Sequence, residues 1–162
     1  MKQVFQLFSG KKIHSAVISF LKQGLTASLL AQATAVGIFL GTIPVPGVST
    51  ILCFIVSSRL KVNLAVLQFV NYIMFPVQIF LFLPYYSLAG KISGKPIMKE
   101  IPEIMTQIFS SNWQHAGTEA LSYVLIAIVL WILTMAPVSY MAYFMLKPVY
   151  LRIQNGIKKN FG

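Results

Sequence analysis

Residues 23–58 carry no charged side chain, and the run is broken in its middle by Gly41-Thr42-Ile43-Pro44-Val45-Pro46-Gly47. One membrane crossing needs ~20 apolar residues at 1.5 Å of helix per residue, so this run is too long for a single straight span. Paired prolines and glycines so close together do not fit a regular helix. The run therefore predicts a broken-helix element, re-entrant or hairpin, with arms at 26–41 and 50–58. Irregular backbone survives at membrane depth only where protein buries it or water reaches it. Whatever this chain does, the break is the first place to look.

The rest of the composition agrees with a membrane setting. Charged residues make up 10% of the chain and hydrophobic residues 57%, against about 25% charged in soluble domains. The expected fold is a single all-α integral-membrane domain. The net charge is +10, from 13 Lys+Arg against 3 Asp+Glu. The basic residues flank apolar runs and form no continuous stripe, which argues against nucleic acid and for anionic membrane lipids as partners. Cys53 sits alone in an apolar stretch, with no companion for a disulfide or a metal. Ala33-Thr34-Ala35 mimics a signal-peptidase site, but apolar sequence continues past it, so the segment is expected to be retained.

Segment boundaries follow from charge and periodicity. Residues 1–22 form a basic segment in which Ile13, Ala16, Val17, Phe20 and Leu21 share one helical face, as expected of an interfacial helix. Gly24 should end it, and Thr26 can cap the next helix. Gly37 and Gly41 make a GxxxG, which lets a neighbouring backbone approach closely. Ser49 or Thr50 can cap the second arm of the hairpin. A membrane span at 62–90 carries expected interruptions at Pro76 and Pro84, and Asn63 and Asn71 share a face within it. Gln68 and Gln78 add amides that need partners in an apolar span, most often on other helices. A connector at 91–119 holds every acidic residue, Glu100, Glu103 and Glu119. A second interfacial helix is expected at 101–110, anchored by Trp113. The last span, 120–146, should kink or break at Pro137, and a basic tail follows at 147–162.

Charge orients these segments. If 23–58 is a hairpin and the later runs each cross once, ten basic residues lie on one side and three on the other. The positive-inside rule makes the ten-charge side cytoplasmic, with both termini there. Two other arrangements stay open: a hairpin at 62–90, or hairpins at both later runs.

Chemistry is sparse. His14 and His115 lie in expected interfacial segments, and all carboxylates lie in the connector. No catalytic set, metal cluster, cofactor motif or phosphate-binding loop stands out, so no enzyme and no cofactor are expected. The candidate ligand site is the break and what faces it: Pro44, Pro46, Gly47, Ser49, Thr50, Arg59, Asn71 and Gln78. A half-helix starting near Ser49 aims backbone N–H groups and a positive dipole end at the break, which suits an anion. Lys61 and Arg59 can attract a lipid phosphate at the cytoplasmic edge. The plainer alternative is a tight hairpin turn with no ligand.

Several stretches carry a resemblance. Gly37-Ile-Phe-Leu-Gly41-Thr-Ile-Pro44-Val-Pro46-Gly47-Val-Ser-Thr50 leads into Arg59-Leu-Lys-Val-Asn63-Leu, followed by Asn71-Tyr-Ile-Met-Phe-Pro76-Val-Gln78, Leu83-Pro84 and Leu88-Ala-Gly90. In this order they resemble a small prokaryotic membrane family catalogued as a domain of unknown function (number 2062), over roughly residues 24–95. Many members have Asn-Pro-x-Thr at the second interruption. Here Phe75-Pro76-Val77-Gln78 stands there, so a role for that Asn or Thr does not carry over. Some members are joined to glycosyltransferases that act on lipid-linked sugars, which implies a lipid-carrier context in the bacterial cytoplasmic (inner) membrane. The first break is also similar, over one short motif, to the re-entrant loops of DedA-type proteins, proposed lipid-phosphate transporters. The leading expectation is a protein that handles or transports a phosphate-bearing lipid such as a polyprenyl carrier. The alternative is a non-catalytic scaffold or anchor for a partner enzyme such as a glycosyltransferase, with a homo-oligomer as a further candidate assembly.

Overall fold

In the computed structural model, residues 10–22, 24–45, 47–94 and 113–161 are described, and they form five helices with no strand among them. These are α1 (Gly10–Lys22), α2 (Ala27–Gly41), α3 (Val48–Leu60), α4 (Leu64–Ile92) and α5 (Trp113–Phe161). The second expected interfacial helix, 101–110, lies outside the described residues.

Helix α1 buries Val17 and Leu21, part of the apolar face read from the sequence, and Gly24, whose φ is +89°, lies just past its end. Thr26 then caps α2 as expected, its side chain accepting the Leu29 N–H at 3.3 Å. Helix α2 is the centre of the bundle. Of its residues only Leu29 is exposed, as befits a helix apolar all round. Its buried positions are mostly small: Ala27, Ala31, Ala33, Ala35, Gly37 and Gly41.

Small residues let the neighbours come close. A Cβ added at Gly37 would lie 2.7 Å from Val70 Cβ, and one at Gly41 would lie 2.7 Å from Met74 Cβ. The GxxxG is therefore the seam between α2 and α4 of the same chain. Asn63 caps α4 by accepting the Val66 N–H at 3.1 Å, so it does not share in the buried face with Asn71. Helix α5 runs antiparallel to α2 and packs on it through a stripe that includes Trp131, Ser139 and Tyr150, all buried.

The expected interruptions at Pro76 and Pro84 are corrected, and of the kink or break expected at Pro137 the break is not found. Pro76 and Pro84 lie inside an uninterrupted α4, and Pro137 and Pro148 inside an uninterrupted α5. A proline removes one N–H and crowds one carbonyl, which a long helix braced by neighbours absorbs without ending. Helix α5 also extends beyond the expected span, through the end of the connector and the basic tail. At 49 residues it is roughly 74 Å long.

Among the described residues, two helices are long and apolar enough to cross a bilayer: Leu64–Ile92 and Ala120–Ile157. Their outward faces are apolar, with Phe80 77% exposed and Leu133 68% exposed. Helices α2 and α3, 15 and 13 residues long, reach only about 20 Å each. They meet at residues 42–47, beside the buried cluster of Ile43, Tyr85, Ala89, Tyr123, Ala127 and Trp131.

Candidate functional site

Helix α2 stops at Gly41, and the chain crosses to α3 through Thr42–Gly47. Thr42, Ile43 and Pro44 are buried, although their backbone has left the helical pattern. Buried carbonyls without partners are costly, and two here are met by side chains from α4. Gln78 Nε2 donates to the Ile43 carbonyl at 2.7 Å. The Tyr86 hydroxyl donates to the Pro44 carbonyl at 3.0 Å.

Helix α5 supplies the third clamp. Trp131 Nε1 donates to Thr42 Oγ1 at 3.2 Å, while that hydroxyl donates back to the carbonyls of Ile38 and Phe39, each at 3.0 Å. The Trp131 ring stacks on Phe39 with centroids 4.2 Å apart. Three successive break residues are thus each fixed by a donor from another helix. Gln78 was read from the sequence as an amide in need of a partner. Tyr86 and Trp131 were not singled out. The available signal was general: an indole N–H or phenol O–H inside an apolar run needs a hydrogen-bond partner.

Past Pro44 the break opens outward. Pro46 lies outside the described residues. Gly47 is exposed, and its φ of +86° is left-handed, where a side chain is strained. It is the N-cap of α3, with no side-chain hydrogen bond. The expected cap by Ser49 or Thr50 is therefore corrected. The left-handed turn at Gly47 starts the helix at Val48, so both hydroxyl residues already lie in its first turn. Ser49 is buried and Thr50 half-buried. Helix geometry leaves the N–H groups of this turn without intrahelical partners.

A second polar chain ties α3 to α4. Gln68 Nε2 donates to the Thr50 carbonyl at 3.3 Å, and Asn71 Nδ2 donates to Gln68 Oε1 at 3.4 Å. The Thr50 carbonyl can only accept, so it sets the direction of both amides. Asn71 Oδ1 is left at the end of the chain as an acceptor. Among the described residues it is the one buried side-chain polar atom with no hydrogen-bond partner. Asn71 packs beside Gly41: its Cα is 3.1 Å from where a Gly41 Cβ would stand.

The residues proposed from the sequence thus fall into separate places. Pro44 is in the break and Gln78 bonds its neighbour Ile43, while Gly47 is at the open side and Ser49 is buried in the first turn of α3. Thr50 and Asn71 belong to the amide chain below it. Arg59 is exposed at the other end of α3, twelve residues from Gly47 and so roughly 18 Å away along the axis. Amides, hydroxyls, an indole N–H and backbone carbonyls meet at the break. None of them titrates near neutral pH. Among the described residues no group of three or more His, Cys, Asp or Glu gathers to hold a metal ion.

The chain shows no match to a curated protein and none to a solved structure. A family model described as "uncharacterized protein conserved in bacteria" (DUF2062) matches residues 11–156. That match takes in nearly all of α1, the whole of α2, α3 and α4, and most of α5, well beyond the motifs that first suggested it. The chain belongs to the DUF2062 family of bacterial proteins.

Proposed function

We propose that this chain is an integral protein of the bacterial cytoplasmic membrane that handles a phosphate-bearing lipid, with α2 and α3 as a re-entrant hairpin. The observation that carries the reading is the level along α4 at which the break is held. Gln78, which holds it, is near the middle of the 29-residue α4. If α4 crosses the bilayer, the hairpin turns close to the midplane, where broken helices of transporters expose their ends. Apolar outer faces on both long helices support the membrane placement, since solvent would not stabilise Phe80 or Leu133 there.

At that depth, the open side of the turn offers exposed Gly47 and Val48 and the positive end of α3. Arg59 and Lys61, both exposed, stand at the cytoplasmic end of the same helix. They attract anionic headgroups to the rim, while the break is the polar point on the way inward. Polyprenyl phosphates fit this chemistry, as do ordinary phospholipids.

A scaffold for a partner enzyme would draw on the GxxxG and on the amides of the apolar runs for its interface. The GxxxG is occupied by α4 of the same chain, and Gln68 and Gln78 are bonded to backbone carbonyls within it. Reconstituted protein should therefore move a labelled lipid phosphate between leaflets of proteoliposomes. Replacing Ser49 and Arg59 together by Ala should slow that movement. No movement by the unaltered protein would refute the activity, and an unchanged rate in the variant would refute the site.

A further inference from the structure

We infer that a lateral groove between α2 and α5 holds the hydrocarbon chain of an anionic phospholipid, with its phosphate at Lys147. Membrane placement is the one part of the functional proposal on which this rests; transport is not required.

The groove has a volume of about 330 Å³ and is lined by Val36 and Phe39 of α2 and by Ala136, Tyr140 and Tyr143 of α5. These positions recur at helical spacing on each element, so two stripes face each other along the groove. Its floor is pinned where Ser139 Oγ donates to the Ala35 carbonyl. The two ends differ chemically. At one end Phe39 stacks on Trp131, the residue that clamps the break. At the other, the Tyr143 hydroxyl pairs with Ser28 Oγ at 3.3 Å, and Lys147 Nζ stands 5.6 Å from the Tyr143 ring centroid.

Charge selects the occupant. Ser28 is in the first turn of α2, whose dipole adds positive character beside Lys147. The carboxylate residue of α5, Glu119, precedes Lys147 by 28 residues, about 42 Å along the helix. A groove that is mostly apolar, with Gln32 as a polar residue in its lining, and that has a cation beside the paired Ser28 and Tyr143 hydroxyls at one end matches an amphiphile with an anionic head. A zwitterionic lipid brings an ammonium that Lys147 repels. A second copy of this chain would bring more positive charge to the same place, since the chain carries +10.

Native mass spectrometry of the full chain in detergent, with phosphatidylglycerol and phosphatidylcholine as probes, tests this. The expected result is preferential retention of phosphatidylglycerol. Lys147→Ala should lower that retention about fivefold, as one surface cation contributes, and Lys147→Arg should preserve it. Ala136→Phe, at an exposed position, should fill the groove and reduce retention of both lipids. Thermal melting confirms that each variant is folded. Equal loss of both lipids in Lys147→Ala would overturn the headgroup assignment. Unchanged retention in Ala136→Phe would overturn the groove, and so would a dimer that Ala136→Phe disrupts. Failure of lipid translocation with the binding pattern intact would count against transport alone.

Discussion

The seam between α2 and α4 gives the sharpest quantitative prediction. In Gly37→Ala the new Cβ would stand 2.7 Å from Val70 Cβ, 2.9 Å from Val70 Cγ1 and 3.2 Å from the Leu67 carbonyl oxygen. In Gly41→Ala it would stand 2.7 Å from Met74 Cβ and 3.1 Å from Asn71 Cα. Carbon pairs rest at about 3.5–4.0 Å, so the helices must part by roughly 1 Å. Overpacking of this kind costs about 1–3 kcal/mol per site. One separation relieves both contacts, so the double variant should cost less than the sum of the singles. Val70→Ala should rescue Gly37→Ala only in part, because it removes Cγ1 and leaves Cβ in place. Gly156, in α5, is the control, because a Cβ there would meet no atom within 4 Å. Gly156→Ala should be neutral or stabilising by up to about 1 kcal/mol. Reversible unfolding in mixed micelles measures each value. Unchanged stability in both Gly37→Ala and Gly41→Ala would refute the close seam, and full additivity would refute a shared separation.

Other consequences are equally direct. Gln78→Leu leaves the Ile43 carbonyl without the amide it accepts from and should lower stability by about 1–3 kcal/mol in the same assay. Trp131→Phe keeps an aromatic ring on Phe39 but removes the bond to Thr42, so its cost should be nearer ~1 kcal/mol. Cys53 is fully buried, and a membrane-permeant maleimide should label it only after unfolding; rapid labelling of the folded protein would contradict its place in the core.

The sequence made the break legible because Pro44 and Pro46 restrict the backbone locally and Gly47 permits the left-handed turn that a side chain would strain. Thr26 and Gly24 were legible for the same reason: a cap and a left-handed stop act within a turn. Pro76 and Pro84, read as interruptions, misled. Pro76, Pro84 and Pro137 oppose a helix locally, but packing along α4 and α5 outweighs one lost N–H at each. The cap of α3 was placed on Ser49 or Thr50 because hydroxyls favour that role, whereas the left-handed Gly47 had already set the helix start. The clamp on the break could not be read locally at all. Ile43 and Gln78 are 35 residues apart, and Thr42 and Trp131 are 89 apart. Only the folded arrangement pairs them. The GxxxG illustrates the same limit: its close approach was legible, but its partner was not.

A re-entrant hairpin requires α2 and α3 to enter and leave on one side while α4 crosses. Single cysteines at Thr26, Lys61 and Ser93, each exposed, in a Cys53→Ala background report it directly. With an impermeant maleimide on intact cells, the account predicts labelling at position 93 alone, and labelling at 26 and 61 only after the membrane is opened. Position 26 and position 61 reacting from opposite sides would contradict the hairpin, and position 93 reacting from the same side as 61 would contradict the crossing.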